Sequence, residues 1–183
     1  TIRCLALFAG IVEHKMKMNR PTFVSFVEPP KAFQTWKFRI PEAPYPFVTT
    51  MASDSISSLN PSREADGDKP IPSHGNAPLL LQHLKDWLSS YYRGCPTTTD
   101  WILSPSGTPF QLAVWKALTR IPHGATASYR DIAEKIGEPK ACRAVGNAIG
   151  RNPVMILIPC HRIVRSNGQM GGFRWGTALK REL

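Results

Sequence analysis

The sequence predicts a two-part α/β protein whose C-terminal part is mainly helical and carries a helix-turn-helix. Three observations lead there. A Ser-, Asp-, Pro- and Gly-rich stretch at 51–75 separates a proline-dotted N-terminal region from the rest. Two capping-box signatures, Thr108-Pro109-Phe110-Gln111 and Ser128-Tyr129-Arg130-Asp131, open helices in the second half. The charge is uneven: of a net +10, residues 108–183 carry 12 Lys and Arg against 4 Asp and Glu. That excess of +8 suggests a polyanionic partner, with a soluble basic surface as the plainer alternative.

The 183 residues, 42% of them hydrophobic, suffice for one large or two small domains. No apolar run is long enough to span a membrane. Ile2 to Val12 is too short and lacks a cleavage pattern, so it reads as a buried strand or helix rather than a signal peptide. The chain opens on Thr1 rather than Met, so preceding residues are expected. Cys4, Cys95, Cys142 and Cys160 show neither C-x-x-C spacing nor a disulfide framework. Free thiols imply a reducing compartment: cytoplasm, or nucleus in a eukaryote. No metal is expected; a distant site using Cys4, His14 and His83 is the remaining option.

Residues 1–94 are assigned to the N-terminal domain. Pro21, Pro29, Pro30, Pro41, Pro44 and Pro46 cut the first fifty into short strands and turns. A helix follows over 77–93, with Asn76 as cap, Pro78 in its first turn and Gly94 ending it. Its apolar stripe is Leu79, Leu80, Leu84, Trp87, Leu88 and Tyr91, which reads as core. Residues 95–107 read as linker, and 108–183 as the C-terminal domain.

In that domain the Thr108 helix buries Phe110, Val114, Ala117 and Leu118 until Ile121-Pro122-His123-Gly124 breaks it. The Ser128 helix runs to about Ile136, and Gly137 turns the chain. A second helix starts at Pro139 and ends near Gly150. It is rich in small residues, Ala141, Ala144, Gly146, Ala148 and Gly150, with Arg143 the one long side chain among them. Since glycine disfavours helix, something must pack closely there, a second helix or a nucleic-acid groove. Asn152-Pro153 ends it. Val154 to Ile158 reads as a buried strand, Ser166-Asn167-Gly168 as a hairpin turn, Gly171-Gly172 as a mobile loop, and Thr177 to Leu183 as the first turns of a helix.

Cys160, directly after the apolar run and before His161, is a candidate nucleophile. Only a few per cent of an ordinary thiol is ionised at neutral pH, so it needs a base or a positive field. His161, Arg162 and Arg165 are at hand. Neighbours in a strand point to opposite faces, so a turn or a bridging water must bring the pair together. From the Cys-His pair alone, a buried structural cysteine is the simpler reading.

The segment Ile158-Pro159-Cys160-His161-Arg162-Ile163-Val164 resembles the active-site signature of the O6-alkylguanine-DNA alkyltransferases. Thr108 to Gln111 with Val114-Trp115, Ser128-Tyr129, Arg143-Ala144-Val145-Gly146, Asn152-Pro153 and Gly172-Phe173-Arg174-Trp175-Gly176 resemble further family segments in the same order. The likeness covers about residues 76 to 183. It implies a ribonuclease H-like α/β domain before a winged-helix-like helix-turn-helix domain. It also implies a direct, single-turnover transfer of a methyl group from O6-methylguanine, and from O4-methylthymine, in double-stranded DNA to Cys160. No cofactor is required, since the lesion is the donor, and a monomer is expected.

By the same resemblance the damaged nucleotide flips out through the minor groove, because its alkylated atom is buried in the stack. Arg143 would fill the vacated space, with Ala144, Gly146 and Arg151 against the DNA. Tyr129 would rotate the flanking phosphate and donate to the leaving guanine. His161 would act as base through a water, and Asn152 would hold the site's two segments together. The carbonyls of Cys160 and Ile163 would accept from the guanine amino group and the loop amide near Arg174 would face O6, with Pro159 and Trp175 completing the substrate pocket. The family's glutamate partner for the histidine falls beyond Leu183, and Glu182 does not match its position. Three rivals remain: a lesion-recognition protein without repair activity, a helix-turn-helix regulator reading the major groove, and a cysteine hydrolase. Cys160 argues against the first, the small residues around Arg143 against the second, and the lack of an orienting third residue against the third.

Overall fold

The computed structural model describes residues 24–52, 54–62, 77–95 and 99–183. The expectations for Ile2 to Val12, Cys4, His14 and Asn76 lie outside them. The N-terminal part is a five-stranded sheet with a helix packed on it. The strands are β1 (Val24–Phe26), β2 (Gln34–Phe38), β3 (Phe47–Met51), β4 (Ile56–Pro61) and β5 (Trp101–Leu103), in spatial order β1-β5-β4-β3-β2. The β2-β3-β4 meander is antiparallel, and β5 enters parallel between β1 and β4. Alternation drives β3: Phe47, Thr49 and Met51 point inward and are fully buried.

Two expectations are corrected here. Residues 51–75, whose Ser-, Asp-, Pro- and Gly-rich composition reads as a linker or long loop, contain β4; Ile56 and Leu59, both fully buried, supply an apolar spacing that the surrounding serines mask. The linker expected at 95–107 contains β5, whose Trp101 and Leu103 are buried. A three-residue parallel strand is stabilised by distant partners and leaves little local signature.

Helix α1 (Ala77–Tyr92) covers the sheet with Leu81, Leu84, Trp87, Leu88 and Tyr91. Trp87 meets Trp101 edge-on at 5.8 Å, and His83 stacks on the same indole at 5.0 Å. Leu79, expected in the stripe, is 75% exposed, and Leu81 takes its place. Residues 81, 84, 88 and 91 share one helical face, whereas 79 sits off it.

The C-terminal part is built on α2 (Pro109–Leu118), α3 (Tyr129–Lys135), α4 (Cys142–Gly150) and α5 (Thr177–Glu182). Both capping boxes form with reciprocal bonds: Gln111 with Thr108, and Asp131 with Ser128. Gly137, at φ +78°, makes the turn that lets α3 and α4 pack as a pair. Helix α4 starts at Cys142, not Pro139, because a turn closed by the Ala141 amide on the Glu138 carbonyl comes first. The Trp115 indole donates to the Ala148 carbonyl at 2.9 Å and ties α2 to the end of α4.

Val154 to Ile158 is buried but is not a continuous strand. It folds back so that Met155 bridges Ile158, with Ile156 at φ 71°. A β-branched residue in that region is strained and persists only where its surroundings impose it. The segment's outer side joins the N-terminal sheet: Leu59 donates to the Pro153 carbonyl, and Met155 donates to the Leu59 carbonyl. The residues leading to Cys160 thereby pair with β4 at Leu59, beyond its pairing with β5 at Ile56.

Candidate functional site

Cys160 opens a 3-10 turn, Cys160–Arg162, held by its own amide donating to Ile158 and by Ile163 donating to the Cys160 carbonyl. A turn stands where strand geometry would have separated Cys160 from His161. Strand β7 (Ile163–Val164) then pairs in parallel with β6 (Ala127–Ser128), next to the start of α3. The thiol is 6% exposed. Burial pushes its pKa up; the Asn152 amide, nearby backbone amides and the Lys180 charge pull the other way.

Asn152 closes the segment around the sulfur. Its Nδ2 donates to the Ile158 carbonyl at 2.8 Å and to Cys160 Sγ at 3.1 Å, while its Oδ1 accepts from the Val154 amide at 3.0 Å. All three functions of this buried amide are used within ten residues of chain.

A cavity of about 610 Å³ lies above the thiol. Cys160, Asn152, Tyr129, Arg143, Gly146, Arg174 and Trp175 all line it, so seven of the residues singled out from sequence share one wall or another of it. The Arg174 guanidinium sits over the Trp175 ring at 5.2 Å. Tyr129, at the first turn of α3, packs against Gly146 and Gly171. A Cβ on Gly171 would fall on the Tyr129 hydroxyl, so this position needs glycine for close approach, not for φ. Burial raises the Tyr129 pKa and keeps its phenol protonated.

Other expected residues lie around the cavity without lining it. Ala144 and Arg151 are exposed on and just after α4, and Pro159 is buried before the turn. The Ile163 carbonyl accepts from Lys180 Nζ at 2.6 Å. His161 is buried behind the thiol, with Nε2 3.0 Å from the Tyr91 hydroxyl and Nδ1 without a partner among the described residues. Burial, then the charges of Arg162 and Lys180, lower its pKa to about 3, so it is a neutral imidazole at physiological pH. Glu182 is exposed at the end of α5. Among the described residues no group of three metal-ligating side chains occurs and no helix is long and apolar enough to cross a membrane.

Sequence reasoning missed Lys180 and the role of Tyr91's hydroxyl. Lys180 is 5% exposed and caps the carbonyls of Ile163, Gly171 and Gly172, which joins α5 to the turn after Cys160 and to the glycine loop. A lysine among helix-end charges gives no local sign of burial. Tyr91 was visible as core, and a buried tyrosine end demands a polar partner.

The sequence pattern described as "6-O-methylguanine DNA methyltransferase, DNA binding domain" matches residues 109–183. A methylated-DNA--protein-cysteine methyltransferase of Methanosarcina barkeri is 48% identical over 93 residues, 51% of this chain and 59% of that protein. The inducible one of Bacillus subtilis is 57% identical over 75 residues, 41% of this chain and 42% of that protein. The chain thus spans 59% of the length of the first of these curated relatives and 42% of the second. Among solved structures, the O6-methylguanine methyltransferase of Mycobacterium tuberculosis is similar at a TM-score of 0.66 and 34% identity, over 82% of this chain and 90% of that one. A structure of the OGT protein of the same organism in complex with DNA matches at 0.65 and 33%, over 80% and 88%. Likeness on that scale, running through the sheet as well as the cysteine-bearing half, makes this chain a member of the O6-methylguanine DNA methyltransferase family.

Proposed function

We propose that the protein repairs DNA by moving an alkyl group from O6 of alkylguanine, and from O4 of methylthymine, in duplex DNA to Cys160 Sγ. The observation that carries the reading is the thiol at the floor of the cavity, held by Asn152 beneath Tyr129 and Arg143. The thiol proton passes by way of a solvent molecule to neutral His161. The sulfur attacks the alkyl carbon, an S–C bond forms as the O6–C bond breaks, and the guanine leaves with a hydrogen bond from the Tyr129 phenol. A thioether is not readily reversed, so each molecule reacts once.

The target base reaches the cavity by flipping. The small face of α4 allows the backbone close to the minor groove, and Arg143 fills the stack. Arg151 and Ala144 flank the DNA, while Arg174, Trp175, Pro159 and the Ile163 backbone bound the base. In this reading the sheet with α1 is a ribonuclease H-like domain, and the C-terminal part is winged-helix-like; the protein acts as a monomer in the cytoplasm, or in the nucleus of a eukaryote. Incubation with duplex containing O6-methylguanine tests this by mass. A stoichiometric gain of one methyl, absent in Cys160→Ser, is expected; bound DNA without mass gain overturns the reading in favour of lesion recognition alone.

A further inference from the structure

We propose that Asn60, on β4 of the N-terminal sheet, is a positioning residue for Cys160: its side-chain amide heads a hydrogen-bond chain that ends on the sulfur and strengthens the bond Asn152 makes there. The inference rests on the reading of Cys160 as the alkyl acceptor. Asn60 Nδ2 donates to the Pro153 carbonyl at 3.1 Å. The Leu59 amide donates to the same oxygen at 2.9 Å, so both of its lone pairs are used. That carbonyl shares one peptide group with the Val154 N–H, which donates to Asn152 Oδ1 at 3.0 Å. At the other end of the same side-chain amide, Asn152 Nδ2 donates to Cys160 Sγ at 3.1 Å.

The direction of every link follows from chemistry. A carbonyl only accepts, so Asn60 presents nitrogen to Pro153. A backbone N–H only donates, so Asn152 presents oxygen to Val154 and nitrogen to the sulfur. A donor on the oxygen of an amide draws electron density towards it and makes the N–H of that amide a better donor, by roughly 10–30% per bond. The chain crosses two amides in series, the Pro153–Val154 peptide and the Asn152 side chain, and both are polarised in the same sense. The pull of Asn60 therefore reaches the sulfur, and it gains most when the sulfur is negative. Geometry adds to it. The Met155 amide donates back to the Leu59 carbonyl at 2.8 Å, so the residues on either side of Val154 are tied to β4. Burial raises the thiol's pKa, and the Asn152 bond opposes that most. The sheet thus contributes to the chemistry of the thiol as well as to its support.

Asn60→Ala in the full chain removes the head of the chain and leaves its other members in place. The readout needs no DNA: the rate at which iodoacetamide alkylates Cys160, followed by mass on the Cys160 peptide, as a function of pH. Lys180 from α5, Tyr129 from α3, Tyr91 from α1 and the neighbouring His161 also face the thiol, and they are common to every variant. Asn60→Ala is expected to alkylate about two- to threefold more slowly near neutral pH, with its midpoint moved to higher pH. The two proteins should converge at high pH, where the thiol ionises unaided. In an Asn152→Ala background the same substitution should add no further shift, because the chain is already cut. Thr49→Val, which removes a bond to the Ser58 carbonyl elsewhere in the sheet, is the matched control and should keep the wild-type profile. A second measurement uses the wild type alone: alkylation of Cys160 should move the NMR resonances of the Asn60 side-chain amide. Unmoved Asn60 resonances overturn the proposal whether or not the variant folds. So does an unchanged pH profile in Asn60→Ala, an equal shift in Thr49→Val, or a full shift in the Asn152→Ala background. Failure of the wild type to take a methyl group from DNA sinks the repair reading instead, and leaves these readouts unaffected.

Discussion

Asn152 donates to the Cys160 sulfur across 3.1 Å with the same amide nitrogen that donates to the Ile158 carbonyl. One side chain thus fixes the backbone that presents the thiol and favours its charged form. Asn152→Ala would leave the Val154 amide and the Ile158 carbonyl without this partner in a buried site. The expected cost is about 1–3 kcal/mol, measured by denaturant unfolding. Because the lost bond favours thiolate, alkylation of Cys160 should also shift to higher pH. A variant with unchanged stability and unchanged thiol reactivity would contradict the assignment.

Gly171 and Gly172 stand side by side yet predict opposite outcomes. A Cβ on Gly171 meets Tyr129, whereas one on Gly172 meets nothing within 4 Å, and neither has a positive φ. Gly171→Ala should destabilise by about 1–3 kcal/mol through overpacking and displace the Tyr129 ring. Gly172→Ala should be neutral or stabilise by up to about 1 kcal/mol through loss of unfolded-state freedom. Melting temperatures of the pair check this. Adding Tyr129→Ala to Gly171→Ala should recover part of the loss; no recovery would place the strain elsewhere.

These contrasts mark what was legible in the sequence. The capping boxes at Thr108 and Ser128 were readable because donor and acceptor lie three residues apart. Clustering of Cys160, Asn152, Tyr129 and Arg143 followed from ordered motifs. Strand β5 was not readable, since Trp101 to Leu103 is stabilised by β1 and β4, both distant in sequence. The apolar run 154–158 has strand composition, but its pairing to Leu59 and its fold-back at Ile156 are tertiary impositions on local preference. Lys180 escaped for the same reason: its three carbonyl partners become neighbours only in the folded chain.

His161 should make stability depend on pH in a definite direction. Its pKa is lowered to about 3 in the fold, against an ordinary value of 6.5. Between those values the unfolded chain binds a proton that the folded chain refuses. Stability is therefore fully present above about pH 6.5 and is lost as pH falls towards 3, at up to about 1.4 kcal/mol per pH unit. From pH 7 to 5 the wild type should lose about 2 kcal/mol more than His161→Gln, which has no such group. Denaturant unfolding at the two pH values measures the difference, and the comparison cancels the smaller contribution of His123. Parallel losses in both proteins would show that His161 titrates freely in the fold.

Arg143 tests whether the small face of α4 serves a flipped base. It is exposed on α4 and lines the cavity beside Gly146, so it can enter a duplex without first leaving a core. Its proposed task is to stabilise the gap in the stack, which a free base does not have. Arg143→Ala should therefore slow repair of O6-methylguanine in duplex by at least about tenfold, the equivalent of 1.4 kcal/mol, and leave reaction with free O6-methylguanine base nearly unchanged. Charge alone has a separate control in Lys116, which packs over Phe26 on α2 away from the cavity. Lys116→Glu changes charge by two, so it should weaken duplex binding in a salt-dependent way. Once DNA is saturating, it should leave the duplex-to-base rate ratio intact. Single-turnover rates on both substrates decide the matter, since equal slowing of duplex and free base by Arg143→Ala would mean that the arginine supports the cavity and not the flipped state.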